Sequence, residues 1–225
     1  MARFSRIEVA LQMRDSGIVA VFYNSDPEIC FEVARACYNG GLRIFELTNR
    51  GDYAHEVFGW LNKKLAKECP EMIAGAGSII DEPTAALYMQ LGANFIVSPT
   101  LHKEMAWICN RRKVLWIPGC GSATEISEAE KLGAEIVKIF PASQLGGPGF
   151  VKAVRGPRPW TSLMPSGGVE PTQDNLEQWF GAGVHCVGMG SKLITPDVLK
   201  NRDFKALEIK VKDAVQIVKK IRGKN

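Results

Sequence analysis

Short apolar runs alternate with amphipathic segments along most of the chain, and this alternation limits the possible fold more than any other feature of the sequence. We predict eight strands, at 18–22, 42–48, 72–75, 95–98, 114–118, 136–140, 163–166 and 186–189. Helical patterns lie between or after them, at 27–38, 54–67, 83–91, 103–110, 123–132, 150–154 and 172–181. Eight strand–helix units in 225 residues favour an α/β fold, a (β/α)8 TIM barrel, over an open doubly wound sheet.

The size of the chain and its two ends complete the predicted architecture. Because 46% of the residues are hydrophobic, the chain can bury one sizeable core but hardly two, so we predict a single domain over 1–225. We predict an N-terminal helix and a C-terminal amphipathic helix over 202–222, which docks on the barrel or on a partner subunit. The apolar face of the C-terminal helix consists of Phe204, Leu207, Val211, Ala214, Val218 and Ile221.

Charge and cysteine usage exclude several classes of partner and site. The net charge of +4 is too small to indicate a nucleic-acid partner or an anionic membrane surface. No stretch reaches the roughly 18 uncharged apolar residues of a membrane-spanning helix, and we predict no signal peptide. The six cysteines are scattered and form no C-x-x-C pair. We therefore expect reduced thiols in a cytoplasmic protein, without a zinc site or a disulfide framework.

A lysine stands inside one of the apolar strands. Strand alternation puts Ile136, Lys138 and Phe140 on one face and Val137 and Ile139 on the other. If the second face packs on helices, the lysine points into the barrel lumen, where burial favours the neutral amine that attacks a carbonyl group. A lysine that reaches solvent from the strand end, or a strand of the opposite phase, explains the same pattern equally well.

A glutamate occupies a comparable place on another strand, where Ile44, Glu46 and Thr48 share one face. Because a lone buried charge is costly, a carboxylate in the lumen must be paired or functional. The two alternatives are an ion pair with Arg50 or Lys138 and general acid–base catalysis, and they do not exclude each other. A lysine and a glutamate aimed into one lumen suit imine chemistry.

Glycine-rich segments follow the last two predicted strands, Pro165-Ser166-Gly167-Gly168-Val169 and Val187-Gly188-Met189-Gly190-Ser191. In this barrel fold the loops after strands seven and eight often hold a phosphate group, through backbone N–H groups and a helix N-terminus. Glycine lets the backbone approach such a group closely. Either segment alone suits an ordinary turn, whereas the pair in these two units predicts a phosphate site.

Six blocks occur in order along the chain: Gly40 to Arg50 (GGLRIFELTNR), Gly75 to Ser78 (GAGS), Gly92 to Pro99 (GANFIVSP), Pro118-Gly119 leading to Thr124-Glu125, Val137 to Ala142 (VKIFPA) with Gly146-Gly147, and Pro165 to Val169 (PSGGV). In sequence and spacing they resemble the 2-keto-3-deoxy-6-phosphogluconate aldolases and 4-hydroxy-2-oxoglutarate aldolases. The resemblance runs from about the first strand through Leu193.

The resemblance implies a class I aldolase that needs no metal and no other cofactor, and that forms a homotrimer. Lys138 would form the Schiff base with the 2-keto group, and Glu46 would shuttle protons through a water molecule. The implied reaction cleaves a 2-keto acid, 2-keto-3-deoxy-6-phosphogluconate, to pyruvate and glyceraldehyde 3-phosphate. The implied substrate-binding residues are Arg50, Thr48, Ser78, Pro99 and Ser166, and the implied phosphate-binding residues are Gly167, Gly168, Gly190 and Ser191.

The chain departs from the family pattern at several positions. Ser78 and Ser166 stand where the family commonly has threonine, and Asn49 replaces an apolar residue. The segments 100–112 and 120–123 also differ, and we assign no role to the first of them. Because the catalytic pair is present, these departures bear on the substrate range more than on the reaction class.

Three other functions agree with the same residues. The chain could cleave 4-hydroxy-2-oxoglutarate to pyruvate and glyoxylate. It could be a sugar-phosphate isomerase or epimerase, with Lys138 acting electrostatically, or a non-catalytic barrel that binds sugar phosphates. Imine trapping, the ratio of kcat/KM for the two aldol substrates, and binding without turnover distinguish these functions.

Overall fold

The computed structural model of the protein describes residues 2–223. Its helices are α1 (Arg6–Ser16), α2 (Pro27–Asn39), α3 (Ala54–Glu68), α4 (Glu82–Gln90), α5 (Lys103–Arg112), α6 (Ala123–Lys131), α7 (Gly147–Arg155), α8 (Gln173–Gly181), α9 (Pro196–Asn201) and α10 (Phe204–Ile221). Its strands are β1 (Ile18–Phe22), β2 (Ile44–Thr48), β3 (Ile73–Gly77), β4 (Phe95–Val97), β5 (Leu115–Ile117), β6 (Gly119–Cys120), β7 (Val137–Ile139), β8 (Leu163–Pro165) and β9 (Val187–Met189).

The strands pair in parallel and form two adjoining sheets. A six-stranded sheet has the order β5-β4-β3-β2-β1-β9, and a three-stranded sheet has the order β6-β7-β8. Pro118 alone separates β5 from β6, and an isolated parallel bridge joins Ser166, directly after β8, to Gly188 of β9. The predicted parallel α/β fold is confirmed. The count of eight barrel strands stays a prediction, because the hydrogen bonds divide the strands into these two sheets.

Alternation along the strands divides the core into two apolar layers. In β2, Ile44 belongs to an inner cluster with Ile73 and Phe95, whereas Phe45 and Leu47 belong to the outer layer that the helices cover. Strands buried on both faces are typical of parallel sheets. A polar side chain at an inner position is therefore enclosed by apolar neighbours and stands out chemically.

Helix α1 closes the end of the sheet at which the strands begin. It packs against β1, β2 and β5, and it starts at Ser5 in a capping box. Val9 and Met13 are fully buried in the inner cluster, together with Ile136 and Cys186, which directly precede β7 and β9. The inner layer is consequently sealed at the amino ends of these strands.

Helix α10 lies within the predicted range 202–222. Its buried residues face α2 and α8 of the same chain. The approach to α2 is close, because a Cβ atom at Gly40 would lie 2.6 Å from Cγ1 of Val211. The apolar face is thus covered by helices of this chain, the first of the two occupants that the sequence allows. The buried residues are Leu207, Val211, Ala214, Val215 and Val218.

Three elements differ from the predicted pattern. Helix α7 begins at Gly147, ahead of the predicted start at 150, because the glycine-rich run resembles a loop although proline suits the first turn of a helix. The two-residue strand β6 and the six-residue helix α9 are too short to give a periodic signal. Between residues 2 and 223, no helix is long and apolar enough to cross a membrane.

Candidate active site

A cavity of about 470 Å³ opens at the carboxyl ends of the strands, and we call it the carboxyl-end cavity. Among the described residues that line it, the charged side chains are Arg50 and Lys192, both of them cations. Such a lining suits an anionic ligand. Its lining includes most of the predicted substrate and phosphate residues, namely Thr48, Arg50, Ser166, Gly167, Gly168, Gly190 and Ser191.

Lys138 is the central residue of β7 and lies on its inner face. Its neighbours Val137 and Ile139 belong to the outer layer, as strand alternation predicts. The side chain is buried, and its Nζ atom lies 5.1 Å from the ring centroid of Phe140, which lines the carboxyl-end cavity. Within residues 2–223, Lys138 has no ion-pair partner within 4.0 Å, so its amine is held near the cavity without a carboxylate attached.

Glu46 is the central residue of β2 and is 1% exposed. Neither carboxylate oxygen has a hydrogen-bond partner among the described residues. Burial raises the pKa of Glu46, whereas the positive charges of Lys138 and Arg50 act in the opposite direction. Gly77 of β3 makes room for the carboxylate, because a Cβ atom there would lie 1.8 Å from Oε1. The Glu46 carboxyl group thus lacks a hydrogen-bond partner among the described residues and interacts electrostatically with Lys138 and Arg50.

Arg50, Ser78 and Thr48 lie together at the ends of β2 and β3. Nε of Arg50 donates to the hydroxyl of Ser78 at 3.4 Å, and Ser78 has a positive φ of 58°. Thr48 is buried and lines the carboxyl-end cavity with Arg50. A guanidinium group with a hydroxyl beside it is well suited to hold a carboxylate.

The loop after β7 supports the glycine loop after β8. Gly167 and Gly168 have positive φ values of 95° and 79°, and the amide of Ser143 donates to the carbonyl of Gly167 at 3.2 Å. A Cβ atom at Gly168 would lie 2.5 Å from Cβ of Ser143, so a larger residue would push the two loops apart. Only glycine suits both the backbone conformation and the close approach.

The glycine-rich loops after β8 and β9 also contain a charged pair that the sequence reasoning missed. Nζ of Lys192, after β9, lies 2.8 Å from Oε1 of Glu170, after β8. Both side chains are partly exposed, so the pair spans the two loops at the mouth of the carboxyl-end cavity. The positions are far apart in sequence, and nothing in the spacing of their residues signals the contact.

Pro99 is a predicted site residue that the structure does not bring to the other site residues through any contact described above. It does not line the carboxyl-end cavity, and its carbonyl carbon and oxygen lie directly against Gly119, where a Cβ atom would approach the oxygen to 2.2 Å. Glu46, Lys138 and Ser78 are also outside the lining, but each interacts with a residue that lines it. Ser78 accepts a hydrogen bond from Arg50, Glu46 interacts electrostatically with Arg50, and Nζ of Lys138 lies near the ring of Phe140.

Two departures from the family pattern have structural partners. The side-chain oxygen of Asn49 accepts a hydrogen bond from the buried Tyr88 hydroxyl at 2.9 Å. Ser122 caps α6, and Glu125 accepts from the amide of Gly121 at 2.8 Å. These residues fix the ends of local elements. Among the described residues, no group of three or more His, Cys, Asp or Glu side chains is placed to hold a metal ion.

Comparison with known proteins gives a consistent result. The family model for KDPG and KHG aldolase matches residues 9–210. The chain is 32% identical over 198 residues to the 2-dehydro-3-deoxy-phosphogluconate aldolase of Pseudoalteromonas atlantica, a match that covers 88% of this chain and 89% of that protein. It is 29% identical over 200 residues to the KHG/KDPG aldolase of Escherichia coli K12, which covers 88% and 91%.

A solved structure shares the same fold. The crystal structure of KDPG aldolase from Legionella pneumophila holds pyruvate captured at low pH as a covalent carbinolamine intermediate. It superposes on this chain with a TM-score of 0.83 and 25% identity, over 91% of this chain and 97% of that one.

Proposed function

The chain belongs to the KDPG and KHG aldolase family, and on that premise we propose that it cleaves 2-keto-3-deoxy-6-phosphogluconate to pyruvate and glyceraldehyde 3-phosphate. It is an aldolase, hence a lyase, that works through a Schiff base. One observation carries the assignment of residues: the buried Lys138 and Glu46 lie on inner strand positions beside a cavity whose charged lining groups are cations.

Lys138 is the proposed nucleophile. Its neutral amine adds to C2 of the keto acid to give a carbinolamine, whose hydroxyl accepts a proton and leaves as water, so that a protonated imine forms. The C3–C4 bond then breaks while a proton leaves the C4 hydroxyl, so that the aldehyde forms and the electron pair of the bond moves into the iminium as an enamine. Protonation of the enamine at C3 and addition of water release pyruvate and the free lysine.

Glu46 is the proposed acid and base for these proton transfers, acting through a water molecule. Once its nitrogen is bound to substrate, Lys138 cannot serve as the base for the C4 hydroxyl. Burial raises the pKa of Glu46 above its ordinary value, which favours the protonated form from which a carboxyl group can donate a proton. Its oxygens have no protein partner among the described residues, so they are available to water or substrate.

The proposed orientation of the substrate follows the distribution of charge. The carboxylate at C1 lies against Arg50, Ser78 and Thr48, with Ser166 nearby. The terminal phosphate lies against the glycine loops, where the amides of Gly168, Gly190 and Ser191 donate no hydrogen bond to the described protein. These backbone groups, together with the cation of Lys192, favour a dianion.

A second substrate, 4-hydroxy-2-oxoglutarate, follows from the same chemistry. The E. coli relative is named a KHG/KDPG aldolase, and this substrate would use the same lysine and glutamate. The paired glycine loops favour the phosphorylated substrate, because a second carboxylate does not need their backbone donors. A kcat/KM at least tenfold higher for the phosphorylated acid is the expected result, and a preference for 4-hydroxy-2-oxoglutarate would reverse the assignment.

We also propose three finer properties. The two sheets act as one eight-stranded barrel, supported by the Pro118 junction and the Ser166–Gly188 bridge. The protein is cytoplasmic, supported by six free, buried cysteines. It forms a homotrimer, which is supported by the family resemblance and is tested by sedimentation equilibrium at micromolar concentration.

Reductive trapping tests the proposed nucleophile. Borohydride added with pyruvate is expected to leave a stable pyruvate-derived mass on the peptide that contains Lys138, and Lys138→Met is expected to abolish it. Lys152→Met, which removes an exposed lysine of α7, is the matched control and keeps the label. A label on Lys152 or Lys192, or no label on a folded wild-type protein, would contradict the proposal.

A further inference from the structure

A second cavity, of about 600 Å³, lies at the opposite end of the strands, and we call it the amino-end cavity. Its walls come from the residues that precede β8 and β9 and from the carboxyl-terminal ends of α1, α7 and α10. None of the residues proposed for the aldol reaction lines it. It is therefore separate from the catalytic cavity, and the aldolase chemistry does not explain it.

The amino-end cavity is strongly basic. Arg14, Arg155 and Arg222 line it, and Asp15 is the acidic residue among its described lining, 3.7 Å from Nε of Arg14. Three guanidinium groups around one carboxylate leave an excess of positive charge. Arginine is also the side chain that best matches the geometry of phosphate oxygens.

Two of these arginines are held in place by the backbone. Arg155 donates to the carbonyls of Gly183 and Pro159, and Arg222 donates to the carbonyls of Arg14 and His185. Because a guanidinium group has five N–H donors, each keeps donors beyond these two. The carbonyl contacts thus fix the positions of the cations and leave part of their binding capacity unused.

Two buried polar atoms at the amino-end cavity have no partner. Thr161 lines the cavity and is 2% exposed, and its hydroxyl has no hydrogen-bond partner among the described residues. The Nε atom of Arg155 is likewise buried and unpartnered. Leaving such buried groups without a hydrogen-bond partner destabilises the folded chain. Arginines that only capped backbone carbonyls would not account for the unpartnered hydroxyl.

The size and the rim of the amino-end cavity indicate more than a bare ion. Its volume exceeds that of the carboxyl-end cavity, for which we propose a six-carbon phosphate ester. Trp160 lines it and is 70% exposed, so an indole face is available beside the arginines. A planar ring stacks on such a face while its phosphate reaches the cations.

We propose that the amino-end cavity is a binding site for a phosphorylated small molecule with a planar ring, of the nucleoside monophosphate class. The phosphate lies between Arg14, Arg155 and Arg222, accepts from the Thr161 hydroxyl, and leaves the ring against Trp160. This site goes beyond the aldolase function and does not depend on it.

Titration calorimetry with adenosine 5′-monophosphate tests the site in the intact protein at about 0.1 M salt. We expect a dissociation constant below about 1 mM, no binding of adenosine, and quenching of indole fluorescence that is lost in Trp160→Phe. Arg14→Met is expected to weaken binding about tenfold and to spare the fold, because the Arg14 guanidinium group donates to no backbone carbonyl among the described residues. Arg111→Met removes an exposed arginine of α5 and is the matched control.

Thr161→Val separates a ligand site from a structural one. Replacing an unpartnered buried hydroxyl with a methyl group is expected to raise the Tm of the free protein while weakening nucleotide binding about fivefold or more. A lower Tm with unchanged binding would mean that the hydroxyl serves the fold. Absence of binding at 5 mM ligand, equal binding by Arg14→Met, binding without quenching of Trp160, or equal binding of adenosine would each overturn the proposal.

Discussion

The carboxyl-end and amino-end cavities hold their charged side chains in opposite ways. Beside the first, Glu46 has two buried oxygens without a hydrogen-bond partner, and Lys138 has no ion pair among the described residues. In the second, Arg155 and Arg222 each donate to two backbone carbonyls. The first set costs stability and is the one that we propose for the reaction, whereas the second set also stabilises the chain that surrounds it.

The largest expected effect concerns the lysine. Lys138→Met keeps an unbranched side chain of similar shape and removes the nucleophile, so we expect kcat to fall by more than about 10⁴-fold. Because the amine has no ion-pair partner to lose, the Tm is expected to stay level or to rise. Steady-state kinetics and thermal unfolding on the same preparation check this. A folded variant that keeps a tenth of the wild-type kcat would remove Lys138 from the mechanism.

The second effect concerns Glu46→Gln, which keeps the shape of the side chain and removes the titrating group. We expect kcat to fall by about 10²- to 10⁴-fold. Exchange of deuterium into the methyl group of pyruvate reports the proton transfer without the aldehyde half of the substrate. Exchange at the wild-type rate in a folded variant would show that Glu46 moves no proton.

The same variant sharpens the stability contrast. A carboxyl group whose pKa is raised by folding keeps its proton to a higher pH in the folded state than in the unfolded chain. Its contribution favours folding at acidic pH and is lost as the pH rises from the ordinary value of 4.5 through the folded pKa. Glu46→Gln is thus expected to unfold at a higher Tm than wild type at pH 8, by about 2–4 °C for each kcal/mol gained in the free energy of unfolding. The difference in Tm is expected to shrink near pH 4.

A smaller effect is expected at the mouth of the carboxyl-end cavity. Lys192→Met removes the cation beside the glycine loops, and we expect KM for the phosphorylated substrate to rise about tenfold while KM for pyruvate in the exchange reaction stays the same. Lys152→Met is the control for loss of a surface charge. Equal changes with both substrates would assign Lys192 to the fold of the loop and not to the phosphate.

The smallest effect is on stability alone, at the other cavity. Arg155→Met removes two hydrogen bonds from a charged donor to backbone carbonyls, and we expect Tm to fall by about 5 °C. Arg111→Met, whose side chain is exposed, is expected to change it by less than about 1 °C. If Lys138→Met lowered Tm more than Arg155→Met did, the contrast between the two cavities would be wrong.

The placement of the two catalytic candidates was within reach of sequence reasoning. The alternation in β2 and β7 predicts that Glu46 and Lys138 face inward, and the outer-layer positions of Phe45 and Val137 agree with it. A period of two residues is a local signal, and the apolar neighbours show which residues of the strand share a face. The roles of these residues remain predictions.

Contacts between distant loops and helix ends could not be predicted in this way. Lys192 meets Glu170, and the Asn49 side chain meets Tyr88, across separations at which no periodic pattern links the partners. The amino-end cavity is assembled from the ends of three helices and from the residues before two strands. Its charged groups look like an ordinary solvated surface along the chain, because only the tertiary fold gathers them.

Helix α1 closes the inner layer at the amino ends of the strands, and this affects how hydrogen atoms at the site exchange with solvent. Because Val9 and Met13 close the amino ends of the strands, we expect water to reach Glu46 from the carboxyl ends, where we propose that the substrate enters. A bound substrate is therefore expected to block exchange of water between the site and bulk solvent. In the proposed mechanism, the hydrogen removed from the C4 hydroxyl would then stay in the enclosed space until the aldehyde departs. The order of product release would set how often that hydrogen, rather than one from the medium, enters the methyl group of pyruvate.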